Sequence, residues 1–99
     1  MAEYRLTNKA VEDLNEIWEY TYNYWSEEQA DKYYNMLLNF CQAITENPDS
    51  GKSYDSIKVG LLGMKAHRHI IFYRQINNKF VEVIRILHER MDLKSRITE

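Results

Sequence analysis

The sequence predicts an α+β domain in which an N-terminal antiparallel pair of helices packs on one face of a mostly antiparallel β-sheet. Three observations carry this expectation. Apolar residues recur at helical spacing between about residues 9 and 46. Residues 64–91, MKAHRHIIFYRQINNKFVEVIRILHERM, are rich in β-branched and aromatic side chains. The pair Asn77-Asn78 divides that stretch into two arms, as a hairpin turn would.

In chain order, Glu3 to Leu6 reads as a short first strand. Thr7 or Asn8 is a suitable N-cap for a helix from about Lys9 to Trp25. Val11, Leu14, Trp18, Thr21 and Trp25 form its stripe at steps of three and four. Glu12, Asp13, Glu16 and Glu19 lie mostly on the other side, which reads as a solvated acidic face. Ser26-Glu27-Glu28-Gln29 is a capping box and opens a second helix from about Glu27 to Glu46. Its main stripe is Ala30, Tyr34, Leu37, Cys41 and Ile44, widened by Tyr33, Leu38 and Phe40, and Pro48 ends it. With almost no linker between them, the helices form an antiparallel hairpin. Residues 49–60 read as loop, with a short helical turn near Ser53 to Ile57. A strand at Leu62 to Ala66 feeds the long hairpin, whose arms are His69 to Ile76 and Phe80 to Leu87. Strict alternation sends Phe80, Glu82, Ile84 and Ile86 to one face, and Val81, Val83, Arg85 and Leu87 to the other. Asn tolerates positive φ, so the Asn77-Asn78 turn is expected to use it. Residues 91–97 make a final helical turn or two with Asp92 at the start.

Composition narrows the class. The 99 residues make a single domain, 1–99, with an ordinary hydrophobic fraction of 44%. The net charge of −2 hides an asymmetry: residues 1–60 carry 5 basic against 11 acidic side chains, and residues 61–99 carry 8 against 4. A basic C-terminal part suits a polyanion or an acidic protein partner, while the overall balance argues against general or sequence-specific nucleic-acid binding. One cysteine, Cys41, excludes an internal disulfide, fits a reducing compartment and reads as a small core residue. There is no signal-like or membrane-length apolar run, so a cytoplasmic location is expected. No cofactor motif is evident.

Two segments then carry a resemblance. HIIFYR at 69–74, followed after one turn by RILHERMD at 85–92, resembles the ParE branch of the ParE/RelE toxin superfamily. YRLTNKAVEDLNEIWEY at 4–20 and FCQAITENPDSGKSY at 40–54 are similar to the same family, so the likeness spans nearly the whole chain. It implies a curved sheet under the helical hairpin. It also implies the toxin of a type II toxin–antitoxin pair, neutralised by a ParD-like antitoxin in a hetero-oligomer and acting by binding DNA gyrase. The alternative is the RelE activity, ribosome-dependent cleavage of messenger RNA.

Chemistry separates these branches. Cleavage by 2′-hydroxyl attack needs a proton acceptor, a proton donor and cations for the developing charge. The positions where the RelE branch places a lysine pair fall on Leu61 and Gly63. Its first-strand arginine falls on Ile70, and its late aromatic position falls near Arg96; only the arginine after the second strand remains, as Arg90. With a slip of one position, Lys65 or Arg68 comes closer. No catalytic residue is therefore assigned. The candidate partner-binding residues are Arg74, Arg85, His88, Arg90, Met91 and Arg96. For the arginines the plainer reading is a solvated side chain or an ion pair with Glu82, Glu89 or Asp92. His67 and His69, two apart, are expected on one strand face, but no third ligand stands at metal-binding spacing. His88 is expected to anchor the turn after its strand by a hydrogen bond.

Overall fold

The computed structural model describes residues 3–98. The elements are β1 (Glu3–Leu6), α1 (Asn8–Tyr24), α2 (Glu27–Glu46), β2 (Lys52–Ser53), β3 (Leu62–Ala66), β4 (His69–Asn77), β5 (Phe80–His88) and α3 (Leu93–Ile97), with a 3₁₀ turn at Pro48–Ser50. The strands form one sheet in the order β1-β5-β4-β3-β2, antiparallel except for β1, which runs parallel to β5. The α+β architecture matches the expectation, with two additions in the connecting stretch. The turn expected near Ser53 to Ile57 is present, with the Tyr54 carbonyl accepting from the Ile57 and Lys58 amides at 2.9 and 3.1 Å. A 3₁₀ turn precedes it, and Lys52–Ser53 adds a fifth, two-residue strand at the sheet edge.

Local chemistry sets the helix ends. Thr7 Oγ1 accepts from the Ala10 amide at 3.1 Å, which satisfies one orphan donor of α1. Ser26 Oγ accepts from the Gln29 amide at 3.0 Å and caps α2. Asp92 caps α3 through the Ser95 amide.

The helices cover one face of the sheet. Leu14, Leu37, Cys41 and Ile44 pack there against Ile71, Tyr73, Val81, Val83 and Ile86. The other face holds a smaller cluster of Leu61, Ile70, Phe72, Leu87 and Ile97, so α3 closes that side. Cys41 is fully buried, and burial pushes its thiol up to about 12, as suits a core residue.

Two expectations about faces and one about a turn change. On α1 the buried stripe runs through Ala10, Asp13 and Leu14, with Ile17 packed against the core. Val11 and Trp25 are exposed, so the inward face is rotated by about one residue from the predicted one. Asp13, read as solvated, is buried. On β5 the register passes from Phe72↔Arg85 to Tyr73↔Val83 and skips Ile84. This bulge breaks strict alternation: Ile84 joins the α3 side, whereas Ile86 joins the helical side with Val81 and Val83. Finally, the β4–β5 turn uses no left-handed backbone. The Lys79 amide donates to Asn77 Oδ1 at 2.8 Å, while the one non-glycine with positive φ among the described residues is His67, at 57° in the β3–β4 turn.

Candidate functional site: an apolar groove beside the histidines

A groove of about 710 Å³ opens where the C-terminal half of α1 meets the end of the β4–β5 hairpin. Its apolar wall comes from Ile17, Tyr20, Trp25, Ile86 and Met91. Tyr20 is 63% exposed, Trp25 76% and Met91 39%. Tyr24, tilted against Tyr20 with ring centroids 4.6 Å apart, extends the aromatic surface beyond the groove. Large aromatic rings left this open in a small domain make this end of the molecule its candidate site.

The inner end of the groove is polar. Tyr33 on α2 bonds His69 Nδ1 at 2.7 Å, and the ring of His88 stands edge-on to His69 with centroids 5.2 Å apart. A phenol is a much stronger proton donor than a neutral imidazole N–H, so the Tyr33 hydroxyl gives its proton to His69 Nδ1. His88 Nδ1 accepts the Arg90 amide at 3.1 Å, which is the anchoring bond expected from the sequence. Both imidazoles therefore carry their proton on Nε2. Burial, and then the neighbouring His88, lower the pKa of His69 to about 4; Glu89 and Asp13 oppose that shift.

The sign of this shift makes a prediction. The unfolded chain protonates His69 near its ordinary value of 6.5, whereas the folded chain resists until about 4. The contribution is thus at its most favourable above pH 6.5 and is lost as pH falls from there toward 4. Urea midpoints measured across that window should fall with pH in the parent and fall less steeply in His69→Gln.

The six candidate residues do not form one surface. His88 and Met91 line the groove. Arg90 is exposed just beyond β5. Arg74 lies toward the far end of the hairpin, 4.0 Å from Glu82, which Arg5 also contacts. Arg96 is exposed on α3. Arg85 is a correction: it is only 7% exposed, so it is not a surface contact. Its Nε and Nη2 donate to Asp13 at 2.8 and 3.0 Å, and its Nη1 donates to the Arg96 carbonyl at 2.6 Å. The Asp13 carboxylate also accepts the Ile86 amide at 3.0 Å. One guanidinium thereby ties α1, β5 and α3 together.

Sequence reasoning passed over Tyr20, Trp25, Tyr33 and Arg68 as groove residues. Three of them have other roles in the sequence reading: Trp25 in the stripe of the first helix, Tyr33 at the margin of the second, and Arg68 as a possible substitute cation. The available signal was aromatic crowding, Tyr20-Thr21-Tyr22-Asn23-Tyr24-Trp25, which exceeds what one helix end can bury. The expected pairing of His67 with His69 on a strand face also fails, because His67 sits in the turn. Among the described residues no cluster of three or more metal-ligating side chains occurs.

The positions weighed for RNA cleavage are occupied by packing residues. Leu61 is fully buried, Ile70 packs beside it, and the Gly63 α-carbon lies against Tyr54. Lys65 faces Glu89 at 3.7 Å. Arg68 is the one arginine or lysine lining the groove among the described residues, and Asp13 and Glu16 line it as well.

A helical hairpin on a mostly antiparallel sheet, with an aromatic groove at one end, defines a small α+β domain. The sequence profile described as "ParE toxin of type II toxin-antitoxin system, parDE" matches residues 4–93, and the chain belongs to that family. It is 35% identical over 92 residues to Toxin ParE1 of Mycobacterium tuberculosis (strain ATCC 25618 / H37Rv), covering 93% of this chain and 94% of that protein. It is 33% identical to Toxin ParE1 of Caulobacter vibrioides, covering 98% and 99%. A solved structure described as the chromosomal ParDE TA system from P. aeruginosa shares the fold, with a TM-score of 0.75 at 19% identity over 89% of this chain and 96% of that one. No helix among the described residues is long and apolar enough to cross a membrane.

Proposed function

We propose that this ParE-family toxin acts in the cytoplasm by gripping DNA gyrase, and that a ParD-like antitoxin neutralises it by filling the aromatic groove. The observation that carries the gyrase reading is the burial of Leu61, Gly63 and Ile70. Side chains locked in or against the core cannot move protons or balance phosphate charge, so protein binding supports toxicity better than phosphodiester chemistry. The groove supports the antitoxin reading. Its walls come from β4 and β5, which are interior strands, and from two helices, so no free sheet edge is offered there. A helix, which satisfies its own backbone, suits such a site better than an extended strand. Toxin and antitoxin then form a hetero-oligomer around the antitoxin.

The test pairs two assays on the purified protein. Inhibition of gyrase supercoiling with intact messages on translating ribosomes is the expected result. Cleaved messages with normal supercoiling would overturn the gyrase reading in favour of the endonuclease. Arg90, exposed just beyond β5, is proposed to contact the target. Arg90→Ala should keep the parental melting curve and weaken growth arrest by about tenfold, in the range of one interface arginine. Removing residues 91–99 is a poorer test, because it strips Ile97 from the core and the Arg96 carbonyl from Arg85.

A further inference from the structure

The polar inner end of the groove has a donor set that the reading above does not use. His69 Nδ1 is taken by Tyr33 and His88 Nδ1 by the Arg90 amide. Each ring is left with one N–H, on Nε2, and neither N–H has a hydrogen-bond partner among the described residues. Both rings line the groove, and so does Arg68. The fold thus places two imidazole N–H donors and one arginine on the lining of a trough that is otherwise largely apolar.

Asp13 and Glu89 both act electrostatically on His69, but each already has a partner of its own. The Asp13 carboxylate is occupied by Arg85 and the Ile86 amide. Glu89 faces Lys65. Glu16 lines the α1 wall of the same groove.

We propose that this end of the groove receives a carboxylate, and that the carboxylate is an aspartate or glutamate side chain on an amphipathic helix of the partner. This rests on the groove being a helix-binding site. Three features select the ligand. An oxyanion accepts from imidazole N–H and guanidinium together, and such charge-assisted bonds are strongest in a partly dry site. With Asp13 and Glu16 on the opposite wall, a singly charged carboxylate fits better than a phosphate dianion. The apolar lining of Ile17, Tyr20, Trp25, Ile86 and Met91 requires apolar neighbours around the acid, which a helix supplies at three- and four-residue spacing. The site therefore sets specificity: a partner helix lacking the acid leaves the Arg68 and imidazole donors facing an apolar surface.

The experiment is selection of helices against the intact protein. A displayed library of 16-residue amphipathic helices, randomised on the apolar face, is enriched on the parent and on Arg68→Gln. Arg68 is exposed, so this variant should keep the parental melt; His88→Gln serves as a second variant. The expected outcome on the parent is enrichment of a single Asp or Glu at one fixed position among apolar residues. Changing that residue to Asn or Gln should weaken binding about tenfold or more, as loss of a charge-assisted hydrogen bond does. The same change should matter little on either variant. Helices that bind without a fixed acid, or whose acid matters equally on all three proteins, would overturn the carboxylate site and leave the groove reading standing. If no helix is enriched, the groove reading falls and takes this proposal with it. Competition of a selected helix by adenosine monophosphate, but not by acetate, would identify a phosphate site and overturn the proposal.

Discussion

Asp13→Ala is expected to lower folding stability by about 3–5 kcal/mol, the range for breaking a buried ion pair from one side. The carboxylate accepts three hydrogen bonds, two from Arg85 and one from the Ile86 amide. Its removal strands a guanidinium and a main-chain N–H inside the protein. A small domain has only about 5–15 kcal/mol of stability in total, so this one change takes a large share of it. Thermal and urea melts followed by circular dichroism measure the loss. Asp13→Leu combined with Arg85→Met should be milder than Asp13→Ala alone, because no charge is left buried without a partner. A double variant worse than the single one would show that the bridge contributes net stability beyond cancelling its own desolvation.

Tyr20→Ala with Trp25→Ala is expected to do the reverse: leave folding nearly intact and remove most of the antitoxin's hold. Both rings are exposed and pack little against the core. Each lines the groove, and aromatic anchors at the centre of an interface typically contribute about 2 kcal/mol or more when truncated, roughly thirtyfold each. The pair should weaken antitoxin binding by about a hundredfold or more, allowing for incomplete additivity. In cells, the antitoxin should then fail to rescue growth while the variant stays folded and toxic. Parental affinity by calorimetry, with a parental melting curve, would remove the groove from the antitoxin interface.

The two predictions involve residues that the sequence placed in opposite environments from the ones they occupy. Asp13 sits among Glu12, Glu16 and Glu19, and helical spacing alone put all four on a solvated side. Trp25 continued an apolar stripe and was placed inward. The stripe was misjudged by about one residue because Ala10, small and weakly apolar, marks the centre of the buried face, where close approach to the sheet favours a small side chain. Arg85 was misread for a related reason. In a strand an arginine at an inward position usually means an exposed face, and its partner lies 72 residues away on another element.

Much of the rest was legible. The capping residues Thr7, Ser26 and Asp92 work through hydrogen bonds to amides three residues on, which a local sequence window contains in full. The bounds of α2 and β3, and the hairpin arms to within a residue or two, follow from the same short-range periodicity. His88 bonds an amide two residues on, so its anchoring role was readable as well.

Contiguous residues were enough for the class: one α+β domain, its element order, its helix starts and its family. The tertiary structure alone decided which chemistry is inside and which is at the surface. The skipped residue on β5 sends Ile84 and Ile86 to opposite faces, Arg85 crosses to Asp13, and Tyr33 from α2 meets His69 from β4. Such contacts depend on how far one element is rotated or shifted against another. A rotation of one residue, or one unpaired residue in a ladder, is enough to exchange a core position for a binding position.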